Sequence, residues 1–403
     1  MSQTAGGIPG VMVPVTELVT PQARLNPFEW YEDMRRHSPV RYDEARQSWD
    51  VFLYEDVDKI LRDHVTFSSV RPKFGPNLLG SVLSSDPPKH SQLRNIVSQA
   101  FTPRTVQEME PRIQSICDNL LDDVAAQGTM DLVRDFSYPL PVIVIAEMLG
   151  VPSSDHHLFK KWSDVIAKGA SENSMSAIQS LLAEKAETKR QLDDYFSNIL
   201  AERKVHPGDD LITKLVQAEV DGERLSQDEL LEFCILLLAA GNETTTNLIT
   251  NAIRSFVEER DLQEKLRKTP EAIDTATEEV LRFYSPIQAT NRYATADVDL
   301  RGNAIRAGQQ VVIWMGSANR DEAQFPNAAE FVADRSPNKH IAFGHGIHFC
   351  LGAPLARLEA HVALPTLLRR LQRMELVPGS SLKPIPSSLV YGVSELHIQF
   401  AAV

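Results

Sequence analysis

Apolar residues recur at three- and four-residue intervals over 108–126, 155–168, 177–204, 209–220, 227–259, 270–284 and 353–373. That spacing places one apolar stripe along a helix, so a helix is predicted over each range. Extended signals are fewer and shorter: 40–42 and 49–53 as a hairpin, 298–300 and 310–313 as strands, and 394–400 as an alternating strand near the C-terminus. The class predicted is mainly α with a small β-sheet region. No linker rich in Pro, Gly and Ser divides the chain, and nothing repeats with a period of about 20 to 50 residues. The organisation expected is an irregular N-terminal tail over residues 1–20 and a single large domain over residues 21–403.

One predicted helix differs from the rest. Ser226 with Glu229 three residues later forms a capping box, and helical residues continue to about Glu259, a rod of roughly 50 Å at 1.5 Å per residue. Its first half, LLEFCILLLAA, is apolar around most of its circumference and is expected at the centre of the fold. It then turns polar at Gly241, Asn242, Glu243, Thr244, Thr245, Thr246 and Asn247. Burying a carboxylate and several hydroxyls is costly unless each is satisfied. Two readings of this patch stay open on the residues alone. The threonines bond back to carbonyls one turn earlier while Glu243 faces solvent, or the patch serves a function.

Composition narrows the class. The 403 residues are 43% hydrophobic, enough for a large core. A net charge of -13 disfavours a nucleic-acid partner, which needs a basic surface. The longest apolar run, from Cys234 to Ala240, falls far short of the roughly 18 residues of a membrane span. No basic segment precedes an apolar stretch at the N-terminus, where Pro9 and Pro14 intervene, so no membrane association and a cytoplasmic location are expected. Cys117, Cys234 and Cys350 are too widely spaced for a zinc knuckle and odd in number, which disfavours a disulfide framework. Cys117 and Cys234 lie on apolar helix faces and read as small buried hydrophobes.

Cys350 reads differently. It sits in Phe343-Gly344-His345-Gly346-Ile347-His348-Phe349-Cys350-Leu351-Gly352, just before a predicted helix start near Ala353. Glycines on both sides allow positive φ and close approach to a large planar ligand. A sulfur just before a helix start feels the positive end of the helix dipole, which favours the thiolate. This loop resembles the Phe-Gly-x-Gly-x-His-x-Cys-x-Gly ligand loop of the cytochrome P450 superfamily, and the similarity to soluble bacterial members extends from about Asn26 to Phe400.

The resemblance implies a cytochrome P450 fold, haem b as cofactor and Cys350 as the iron ligand. Residues 240–245 resemble the family's oxygen-activation segment. There Ala240 and Gly241 make room for dioxygen, and Glu243 and Thr244 form the acid–alcohol pair that delivers protons. Many relatives carry Asp where this chain has Glu243, which changes the reach of the acid. Glu279 and Arg282, spaced by three, form a common surface pair on their own. With Arg335, at the end of a segment resembling the Phe-x-x-x-Arg meander, they resemble the family's Glu-x-x-Arg core, which supports the ligand loop. His90 and Arg94, four apart after Asp86-Pro87-Pro88, together with Arg292 and His348, resemble the donors to the haem propionates, while Phe343, Gly344 and Gly352 complete the loop around the cofactor.

The activity implied is insertion of one oxygen atom from O2 into an organic substrate. No Gly-x-Gly-x-x-Gly follows a strand, so a ferredoxin or flavodoxin with its reductase is the expected electron source. Such a carrier would meet Arg94, Arg104, Lys339, His340 and His345. Pocket-wall segments by resemblance are 70–85, 166–181, 234–245, 287–291 and 387–391, mostly aliphatic, with Arg71 and Lys73 at the entrance and a hinge over 169–176. A medium-to-large apolar molecule fits, such as a terpenoid, a steroid or a fatty acid, and the chain is expected to act as a monomer. A peroxide-driven peroxygenase is the nearest alternative, opposed by the intact Glu243 and Thr244. A non-catalytic haem sensor is another, and it would need no proton relay.

Overall fold

The computed structural model describes residues 15–70, 80–167 and 175–402. The chain divides into two compact units: Met1–Gly75 with Glu278–Cys350 and Leu382–Ser394, and Pro76–Thr277 with Leu351–Ser381 and Glu395–Val403. The class is mainly α with small sheets, as the patterning predicts. Among the described residues no helix is long and apolar enough to cross a membrane.

The first unit is built on a five-stranded sheet in the order Val40–Asp43, Ser48–Val51, Gln310–Ile313, Thr290–Ala294, Phe67–Ser68. The first two strands are the predicted hairpin, antiparallel with Val40 opposite Val51 and Asp43 opposite Ser48. Ser48–Val51 then runs parallel to Gln310–Ile313, so the hairpin's second strand lies inside the sheet and buries both faces. One apolar cluster joins Val51, Ile60, Val311 and Ile313. A second joins Tyr31, Phe52 and Trp314 with Val15 and Leu18. The described end of the predicted tail is therefore ordered: Thr16–Leu18 forms a 3-10 turn, and Val15 and Leu18 are buried.

The second unit is organised around Gln227–Glu258, a helix of 32 residues. The capping box is formed: Ser226 N donates to Glu229 Oε2 at 2.8 Å and Glu229 N to Ser226 Oγ at 3.3 Å. Apolar on most sides, this helix packs against Pro139–Met148, His156–Ala167, Met175–Val205 and Ala353–Arg370. A three-stranded sheet, in the order Thr129–Asp131, His397–Ala402, Leu371–Leu376, completes the unit.

Three local features depart from the sequence patterning. Pro139–Met148 is a helix that apolar periodicity does not reveal, because PLPVIVIAEM has no polar face and is rich in β-branched residues. Its burial against helices on several sides, not a stripe, stabilises it. The helix predicted to reach Arg373 stops at Arg370, because Leu371–Leu376 instead pairs with the C-terminal strand. The predicted strand over 394–400 is two strands, Val393–Glu395 and His397–Ala402, parted at buried Leu396. Arg71, Lys73, residues 71–79 of the first pocket-wall segment and residues 168–174, which include most of the predicted hinge, lie outside the described residues.

Candidate active site

In the first unit the structure brings Glu279, Arg282 and Arg335 together in the interior, with the side chains of Glu279 and Arg282 both 0% exposed. A surface pair is thereby excluded. Arg282 meets the carboxylate bidentately, Nε to Oε2 and Nη2 to Oε1, both at 2.7 Å. Arg335 Nε lies 3.2 and 3.1 Å from the two carboxylate oxygens, and the Val332 amide donates to Oε1 at 2.8 Å. Removing a buried charge from water is tolerated only when its remaining hydrogen-bond positions are filled, and these are. The outer nitrogens of the arginines donate to main-chain carbonyls: Arg282 to Asn319, Ala328 and Glu330, and Arg335 to Pro326 and Asn327.

Asn319 connects this cluster to the loop that carries Cys350. Its carbonyl accepts from Arg282 Nη1 at 2.9 Å, and its side-chain Oδ1 accepts from the Ile341 amide at 2.8 Å. From there the loop turns tightly. Gly344 N donates to Ile341 O at 2.9 Å and Cys350 N to Phe343 O at 3.0 Å. Gly344 and Gly346 take φ of 70° and 69°, where any other residue is strained. A Cβ on Gly346 would also lie 2.6 Å from Leu61 O. Gly352 differs from the expectation of positive φ on both sides of the cysteine. Its φ is -80°, because it is the N-cap of Ala353–Arg370 and needs no left-handed backbone. Cys350 itself is partly exposed, three residues before that helix.

His345 is partly exposed and hydrogen-bonds to Asp58 and to Arg62. His340 is turned inward onto Glu278 at 2.9 Å with its side chain 4% exposed, which removes it from the surface expected to meet a carrier. Arg292 is buried on Thr290–Ala294, with Nη1 donating to Asn291 O at 2.9 Å. His348 lies in the 3-10 turn Gly346–His348, with Phe343 at the start of the loop.

In the second unit, His90 and Arg94 lie one turn apart on Lys89–Ala100, His90 buried and Arg94 half-buried. The polar patch falls in the middle of the long helix and combines parts of both readings of it. Thr244 Oγ1 does bond back, donating to Ala240 O at 2.8 Å. Glu243, however, is only partly exposed. Burial raises its carboxyl pKa, opposed by the positive charge of Lys185. Lys185 Nζ donates to Ile166 O at 2.8 Å, and burial lowers its own pKa. Ala240 is exposed, whereas the Cβ that Gly241 lacks would lie 3.0 Å from Ile145 Cγ1. The smallness of Gly241 thus serves the approach of the Pro139–Met148 helix. Asn319 and Lys185 were not singled out from the sequence, since each acts on a partner 22 or more positions away.

The family model described as cytochrome P450 matches residues 42–400. The chain is 46% identical over 389 residues to cytochrome P450 109 of Bacillus spizizenii, covering 96% of this chain and 95% of that protein. It is 41% identical over 372 residues to mycinamicin IV hydroxylase/epoxidase of Micromonospora griseorubida, covering 90% and 91%. Its fold is similar to the crystal structure of CYP109E1 from Bacillus megaterium in complex with corticosterone, with a TM-score of 0.88, 45% identity and coverage of 94% of this chain and 100% of that one.

Proposed function

Because the chain belongs to the cytochrome P450 family and is an enzyme of its monooxygenase class, we propose that it oxygenates a medium-to-large apolar molecule, with Cys350 as the thiolate ligand of haem b. The donor set suits that cofactor. A partly exposed thiol stands before a helix start, on a loop whose tight path needs glycine at 344 and 346. His90, Arg94, Arg292 and His348 are the cationic or hydrogen-bonding groups that two propionates require. When bound, a thiolate-ligated haem iron supplies the dioxygen activation by which one oxygen atom enters an unactivated carbon and the other leaves as water.

The protein's own residues do the rest. The Glu279–Arg282–Arg335 cluster acts through Asn319 to hold Ile341, and with it the start of the cysteine loop. Thr244 uses its hydroxyl hydrogen to donate to Ala240 O, which leaves its oxygen as a hydrogen-bond acceptor. Burial raises the pKa of the Glu243 carboxyl above that of an ordinary carboxylate, the direction that suits a proton donor. Electrons come from a separate ferredoxin or flavodoxin with its reductase. Among the expected substrates a steroid is favoured, because a 45% identical relative has been crystallised with corticosterone.

The observation that carries this reading is the placement of Cys350 on a loop bonded to a fully buried ion cluster. It is tested on purified protein loaded with haem. The reduced carbon monoxide spectrum is expected to be that of thiolate ligation, and Cys350→His is expected to convert it to that of histidine ligation. Corticosterone is expected to shift the ferric optical spectrum as it displaces water from the site. A histidine-type spectrum in the parent protein would remove the assignment of Cys350.

A further inference from the structure

Two successive amides at the start of the cysteine loop are each held by a side chain. Ile341 N donates to Asn319 Oδ1 at 2.8 Å, the contact that leads back through Arg282 to Glu279. Ala342 N donates to His340 Nδ1 at 3.2 Å. At the far side of that ring, His340 Nε2 lies 2.9 Å from Oε2 of Glu278, which precedes Glu279 on the helix Ile273–Phe283. Neighbouring residues of a helix point about 100° apart. The two carboxylates therefore reach neighbouring amides by separate routes.

The second route fixes where the ring carries its hydrogen. An amide N–H only donates, so Nδ1 of His340 must present a lone pair to Ala342. An ionised carboxylate only accepts, so the hydrogen toward Glu278 stands on Nε2. Both bonds are satisfied by one form alone, the neutral ring with hydrogen on Nε2 and none on Nδ1. A hydrogen on Nδ1 would face the Ala342 N–H and break that bond. Phe343 comes next in the chain: its ring lies 6.2 Å from that of His340, and its carbonyl accepts from Cys350 N at 3.0 Å. From Glu278 to Cys350 the path is thus short and wholly within one compact unit.

Resting on the reading of the Cys350 loop above, we infer that His340 is a positioning residue for the thiolate, and that Glu278 holds it in the one tautomer able to accept the Ala342 amide. A carboxylate on the far nitrogen is how proteins orient a metal-binding histidine. Here the same device orients an acceptor for main chain.

The test uses the haem-loaded protein in its reduced carbon monoxide complex, which is diamagnetic. Nitrogen NMR of labelled histidine is expected to show His340 with hydrogen on Nε2 alone, its signals assigned by their loss in His340→Gln. In Glu278→Ala, hydrogen is expected on Nδ1 in part of the molecules, with the Ala342 amide exchanging severalfold faster. On warming, the carbonyl spectrum of that variant is expected to pass severalfold faster from thiolate to neutral-ligand type. Glu278→Gln, whose amide oxygen still accepts from Nε2, is expected to restore all three. His340→Gln and the double variant with Glu278→Ala are expected to lose the thiolate form equally fast, because the same brace is broken in both. Hydrogen on Nδ1 in the parent overturns the inference, as does a parent-like ring and amide in Glu278→Ala, or a double variant faster than either single. A histidine-type carbonyl spectrum in the parent would instead overturn the underlying reading of Cys350.

Discussion

Glu359 is buried on the helix Ala353–Arg370, and its Oε2 has no hydrogen-bond partner among the described residues. Burial raises its carboxyl pKa well above the ordinary 4.5. Burial, and then the nearby Glu359 charge, also push up the Cys117 thiol. An acid whose folded pKa exceeds its unfolded one binds more protons when folded, so stability falls as pH rises. Its contribution is fully present below pH 4.5 and is lost as the pH climbs toward and through the raised folded value. Glu359→Gln keeps the shape and removes the titration. The melting temperature of the variant relative to the parent is expected to rise steadily from acid to neutral pH. A difference independent of pH would show that Glu359 does not titrate across that range. The spacing and motifs that expose Cys350, Glu243 and Thr244 are local in sequence. Those that would expose Asn319 or Lys185 are not, since their significance comes from partners on other segments.

At the scale of elements, the meeting of Gly241 with Ile145 sets how closely two helices approach. Ala in place of a helical Gly is favoured by about 1 kcal/mol on propensity. Here the added Cβ would lie 3.0 and 3.1 Å from two atoms of Ile145, tight enough to offset that gain. Gly241→Ala alone is therefore expected to change stability little, while in an Ile145→Ala background it is expected to stabilise by about 1 kcal/mol. Urea unfolding of the four proteins of the cycle measures the coupling, and strict additivity would refute the contact. Amphipathic elements were legible before folding, the long helix best of all, since Ser226 and Glu229 mark its start. Pro139–Met148 was not, because a segment buried on all sides carries no period. Nor was the strand Leu371–Leu376, whose extended form depends on pairing with residues His397–Ala402.

At the scale of the whole molecule, a net charge of -13 opposes an acidic electron carrier at long range, so local cations must supply the attraction. In the first unit Lys339 is exposed and Arg62 has a side chain 57% exposed. Lys339→Glu is expected to slow reduction by an acidic ferredoxin at low salt and to match the parent at high salt, where exposed charges are screened. Stopped-flow reduction across a salt series measures this, and equal rates at low salt would remove Lys339 from the docking surface. The family was legible because its motifs fall in order along nearly the whole chain. The substrate was not, since pocket shape depends on side chains brought together from distant segments.

Two arginines share the Glu279 carboxylate in the interior, with no second carboxylate paired to either among the described residues. Carbonyl groups of Pro326, Asn327, Ala328 and Glu330 accept from their remaining N–H groups. Every amino acid brings the same carbonyl, so what the arginines require of that short stretch is its course through space, with side-chain demands only at Asn327, whose φ is 52°, and at buried Ala328. Mutational drift can rewrite the exposed Glu330 at little cost, whereas a one-residue insertion or deletion would misdirect the dipoles and unseat the cysteine.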